Sequence, residues 1–94
     1  MIDVRCTSKD DPLRFEVAVG NRAGQTHHQV TMTKETYERL GAGGHTAERC
    51  LEAAFRFLLD REPKESILAS FDITVISRYF TEFEKELPGY LSKA

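Results

Sequence analysis

The period of the hydrophobic residues changes at Thr33, and that change limits the fold more than any other feature of this chain. Before it, apolar residues recur at every second position. Phe15, Val17 and Val19 share one face, with Glu16 between them, and His28, Val30 and Met32 alternate with Gln29, Thr31 and Thr33. A period of two belongs to a strand with one buried face. Between the two runs, residues 20–25 supply Gly20, Asn21 and Gly24 for a turn, which predicts a β-hairpin. Ile2, Val4 and Cys6 also alternate, so residues 2–6 are expected to add a third strand, with Asp10-Asp11-Pro12 as its turn.

After Thr33 the apolar spacing becomes three or four. Thr33 suits an N-cap, Glu35 sits in the favourable first turn, and Tyr37 and Leu40 share a face. Gly41-Ala42-Gly43-Gly44 ends this short helix. A second helix is expected behind Thr46 and runs to about Arg61, because Pro63 cannot continue it. At about 100° per residue its apolar residues, from Cys50 to Leu59, fill roughly two-thirds of the circle. A helix resting on one sheet needs a narrower stripe. This one is expected to be covered twice, by the sheet and by other helices or a second chain.

The last third reads as helix again. Residues 64–69 form a turn or two with Ile67 and Leu68 buried, Phe71-Asp72 interrupts, and Asp72 caps the next segment. Ile73, Ile76, Tyr79, Phe80, Phe83 and Leu87 then fall on one face, and Pro88-Gly89 ends the ordered part, leaving residues 88–94 as a frayed tail. With no linker or repeat to divide its 94 residues, the chain is expected to be one α+β domain. An antiparallel hairpin, extended by the third strand, is followed by three or four packed helices.

Composition excludes several function classes. Thirteen basic residues against fifteen acidic ones give a net charge of −2, and no segment carries the basic excess that drives nucleic-acid affinity. The longest apolar runs, Ala53-Ala54-Phe55 and Phe57-Leu58-Leu59, are far too short to span a bilayer. The opening residues lack an apolar signal segment, which favours a cytoplasmic location. There the two cysteines, Cys6 and Cys50, are expected to stay reduced, with Cys50 a small core residue.

No cofactor, metal or catalytic residue is expected. His27 and His28 point to opposite faces of a strand, and His45, Cys6 and Cys50 offer no compact ligand spacing. The glycines before Thr46 come after a helix rather than a strand and lack the Lys-Ser/Thr pair of a phosphate loop. Glu82, Glu84, Glu86 and Asp72 have no enclosing pocket to tune them, and Ser66, Ser70 and Ser77 have no nucleophile-elbow pattern. Arg78-Tyr79-Phe80 is the candidate protein interface, since Tyr and Arg dominate interface hot spots.

The run FLLDREPKESIL at residues 57–68, with FDITVISRYF after it at 71–80, resembles a family of small bacterial proteins of about this length with no established function. The resemblance covers most of the chain and implies a hairpin with a His-x-Val-x-Val-like strand before the helices. Relatives often carry Pro after the Arg-Tyr-Phe triplet; Thr81 stands there in this chain, so its helix is expected to run further. A looser likeness over residues 29–62 is to ribbon-helix-helix DNA-binding proteins, in which two chains pair strands into a ribbon for the major groove. It implies that Gln29, Thr31 and Thr33 read bases, although the outward face carries no Arg or Lys between them. The leading expectation is a non-catalytic interaction module, acting as a homodimer or binding another protein. A ribbon-helix-helix-like regulator is the alternative.

Overall fold

The computed structural model describes residues 1–21, 23–41 and 44–92. It is an α+β fold with a four-stranded sheet covered on one face by helices. The hairpin pairs β1 (Ile2–Ser8) with β2 (Leu13–Asn21) and β2 with β3 (Gly24–Met32), all antiparallel. The third strand expected over residues 2–6 is therefore present. Its register with β2 slips between Cys6 and Ser8, and the Asp11–Pro12 peptide bond in the turn after it is cis.

The β2–β3 turn closes across Asn21 and Gly24, where the Asn21 side chain accepts from the Ala23 N–H at 2.9 Å. Arg22, part of the expected turn, lies outside the described residues. Gly20 has a φ of +144°, and a Cβ there would meet the Gly24 carbonyl oxygen at 2.1 Å. Only glycine fits.

Both predicted threonine caps are formed. The Thr33 hydroxyl accepts from the Thr36 N–H at the start of α1 (Lys34–Leu40), and the Thr46 hydroxyl accepts from the Arg49 N–H at the start of α2 (Ala47–Leu59), each at 3.1 Å. Gly41 closes α1 with its N–H on the Tyr37 carbonyl at 2.7 Å. The rest of that glycine turn, Ala42 and Gly43, lies outside the described residues.

The wide apolar arc of α2 is covered within one chain. Cys50, Leu51, Ala53, Ala54, Phe55, Phe57 and Leu58 are all buried. Phe55 meets His28 of β3 at 5.4 Å between ring centroids, and Phe57 meets Phe83 at 5.1 Å and Tyr90 at 5.8 Å. The sheet covers one flank and α4 (Phe83–Leu91) the other. Arg61 fixes the second contact. Its guanidinium lies 3.6 Å from the Phe57 ring centroid and pairs with Glu82 at 3.2 Å and Glu86 at 2.9 Å.

The last third departs from the sequence-based expectation in four ways. After a single 3-10 turn (Lys64–Ser66) the chain becomes extended, and Ser70–Asp72 forms a fourth strand, β4, parallel to β3. Leu68, expected to be buried, is 47% exposed. The single expected helix is two: α3 (Val75–Tyr79) ends where Phe80 turns extended (φ −131°, ψ 92°) to put its ring on Phe57 at 5.8 Å. That packing ends the helix although Thr81 is no breaker, and it leaves Tyr79 70% exposed rather than in the core. Finally, α4 continues through Pro88 and Gly89 to Leu91. Proline forfeits one helical hydrogen bond, but Leu87 and Leu91 are both buried and the Arg49 guanidinium binds the Tyr90 and Leu91 carbonyls. Residues 88–91 are therefore ordered helix rather than tail; Lys93 and Ala94 lie outside the described residues.

Candidate functional site

A groove of about 380 Å³ lies where β4, the end of α2 and α3 meet. Four short segments build it. Leu58 and Glu62 come from the end of α2, where the Leu58 carbonyl accepts from both the Arg61 and Glu62 N–H groups at 2.9 Å before Pro63 diverts the chain. Ile67 and Leu68 come from the extended run into β4, Phe71 from β4 itself, and Val75, Tyr79 and Phe80 from α3 and its end.

His28 positions the Leu68 wall. The Leu68 carbonyl can only accept, so His28 Nδ1 donates to it at 2.7 Å, while Nε2 shares a hydrogen bond with the Thr26 hydroxyl at 2.8 Å. One residue on, the Gln29 N–H donates to the Ala69 carbonyl at 2.8 Å and starts the parallel ladder. The buried His28 thus ties the groove wall to the hairpin.

Asp72 joins β4 to α3. Its carboxylate accepts from the Thr31 hydroxyl at 2.7 Å, the Thr74 hydroxyl at 2.6 Å and the Thr74 N–H at 3.1 Å. Partial burial pushes the carboxyl up, but the bonds from Thr74 and Thr31 outweigh it and hold it below the ordinary aspartate value. Asp72, expected to cap this helix, is not its N-cap: that position is Thr74, which makes no side-chain cap bond, and Asp72 accepts the Thr74 N–H from two residues earlier.

Of the three interface candidates, Tyr79 and Phe80 both line the groove, Tyr79 at its exposed rim and Phe80 in its wall. Arg78 is exposed on the same helix but is not part of the lining. The sequence places Leu68 as buried in a helical turn and Phe71 as an interruption of the helix, and Val75 carries no signal of its own, so none of the three stands out as a site residue. Only the extended path of the chain turns them toward one groove.

The three DNA-reading candidates differ in how their side chains are engaged. Gln29 is exposed on the polar sheet face, but the Thr31 hydroxyl is engaged by Asp72, and the Thr33 hydroxyl caps α1 and donates to Thr36 Oγ1 at 2.9 Å. Over residues 29–31, β3 has β2 on one side and β4 on the other, so it has no edge there for a second chain's strand. The paired ribbon that the ribbon-helix-helix likeness implies would need that edge of β3 to be open.

Glu82 and Glu86 pair with Arg61 and Glu84 with Arg39. Cys6 and Cys50 are both free thiols, and burial pushes the Cys50 thiol up to about 11 despite nearby Arg49. Among the described residues no three His, Cys, Asp or Glu side chains converge as a metal site, and no helix is long and apolar enough to cross a membrane. No family model matches the chain, and comparison with curated proteins and with solved structures finds no match.

Proposed function

We propose that this chain is a small non-catalytic interaction module of the cytoplasm whose partner is a protein, a second copy of itself or a different one. The observation that carries the reading is the groove: an exposed Tyr79 and a half-exposed Leu68 line it together with Phe71 of the last strand of the sheet. Sheet edges beside apolar pockets receive extended peptides, with backbone bonds for affinity and pockets for selectivity. The occupant that fits this groove is an extended segment of another protein bearing a large apolar anchor. The bacterial resemblance is in keeping with such a module and adds no activity to it.

The test is selection from a randomised displayed peptide library. Enriched peptides should share a large apolar residue, and Tyr79→Ser should weaken them about 30-fold, the loss of about 2 kcal/mol at a hot spot. Stability should hardly change, because Tyr79 is 70% exposed. Enriched peptides that bind Tyr79→Ser and Leu68→Ser as tightly as the unaltered protein would rule the groove out.

A further inference from the structure

We infer that β1 pairs with β1 of a second copy, antiparallel and centred on Val4, joining two sheets into one of eight strands. This deepens the interaction-module reading by naming one partner. It uses the sheet edge opposite the groove, since the strand order is β1-β2-β3-β4. Variants at β1 and at Tyr79 therefore report on separate surfaces, and either interaction can fail without the other.

The two edges of the sheet differ. β4 is three residues long, too short to hold a second sheet by backbone pairing without a side-chain anchor in the groove beside it. β1 is seven residues long, carries no Pro or Lys, and keeps a regular register from Ile2 to Cys6. The direction of its free backbone groups is set by its ladder with β2. Gly20 N–H donates to the Met1 carbonyl at 3.0 Å, and the Met1 nitrogen donates to the Gly20 carbonyl at 3.1 Å. Bonded and non-bonded pairs alternate in an antiparallel ladder, so Asp3 and Arg5 bond to β2 while Ile2, Val4 and Cys6 turn their N–H and C=O groups to the open edge. The side chains of these three residues face the core side and are only half-buried, above a groove bordered by Arg49 and Glu52 of α2.

Charge selects the register. Outward residues must pair with outward residues, so a two-fold axis can pass through Asp3, Val4 or Arg5. Centring on Asp3 sets two aspartates opposite each other, and centring on Arg5 sets two arginines opposite each other. Centring on Val4 places Val4 against Val4, Ile2 against Cys6, and Asp3 against Arg5, twice over. Opposite charges facing across strands attract and like charges repel. Arg5 already pairs with Glu16 of its own chain at 2.5 Å, so its guanidinium would lie between two carboxylates.

Such an interface is small, so association belongs in the micromolar range. The test is light scattering behind a sizing column, loading from about 10 to about 300 µM. The expected mass moves toward twice the 10.7 kDa of one chain. Val4→Pro should restore the single-chain mass while remaining folded, because the N–H it removes faces outward and proline is tolerated there. Asp3→Arg changes only a solvent-facing side chain and should weaken association about tenfold by opposing like charges. A single-chain mass at every loading would overturn the proposal. So would a folded Val4→Pro that still dimerises, or an Asp3→Arg dimer as tight as the unaltered one.

Discussion

Replacing His28 with Phe tests how the groove wall is held. The ring is 2% exposed and packs on Phe55, and phenylalanine keeps that aromatic volume while removing both hydrogen bonds. The Leu68 carbonyl and the Thr26 hydroxyl are then left without their ring partner. Stranding a buried polar group costs about 1–3 kcal/mol. Leu68 and Thr26 are both partly exposed, so water recovers some of the loss, and the net destabilisation is about 2 kcal/mol. Urea unfolding measures it directly: with a slope of about 1 kcal/mol/M for a domain of this size, the midpoint should fall by about 2 M. Adding Thr26→Val to His28→Phe removes the orphaned hydroxyl and should restore about 0.5 kcal/mol or more. A His28→Phe protein within about 0.5 kcal/mol of the unaltered chain would refute the reasoning, since that is the range of changes that break nothing.

Three other residues give measurable outcomes. Gly20→Ala should destabilise by about 2 kcal/mol or more on thermal melting, because it combines a positive φ with a clash on the Gly24 carbonyl. The Asp72 carboxyl lies below its unfolded value, so its contribution to stability is complete above about pH 4 and fades as pH falls through the folded value. Acid unfolding of Asp72→Asn should accordingly be less steep below about pH 4. In a thiol titration at pH 8, Cys50 should stay unreactive until denaturant is added, because burial holds it protonated.

The hairpin and α2 were legible in the sequence because each carries a strong period with a chemical stop. Alternation marked Phe15 to Val19 and His28 to Met32, while Thr46 and Pro63 bracketed α2. β4 has no such mark. Three residues cannot show a period, and Ser70–Asp72 is a strand only because residues 29–31 of a distant element offer it an edge. The same holds for Tyr79. The apolar spacing from Ile73 to Leu87 fits one helix, but Phe80 gains more by packing on Phe57 than by continuing α3, and the wheel is cut there. His28 was placed on the correct face, yet its bond to a carbonyl 40 residues away lay beyond any local pattern.

The parallel docking of β4 also orders the events of folding. β2 and β3 meet through a turn of a few residues, so their ladder closes at once, whereas β4 must wait for α1 and α2 to bring it back to β3. Contacts that close long loops form late. In hydrogen exchange, the Gln29 and Ile73 amides, which bond to the Ala69 and Thr31 carbonyls, should therefore open in a partial event, below the free energy that opens the β2 amides. A chain in that partly opened state keeps its hairpin and loses the groove, so occupancy of the groove would register as slower exchange at those two amides.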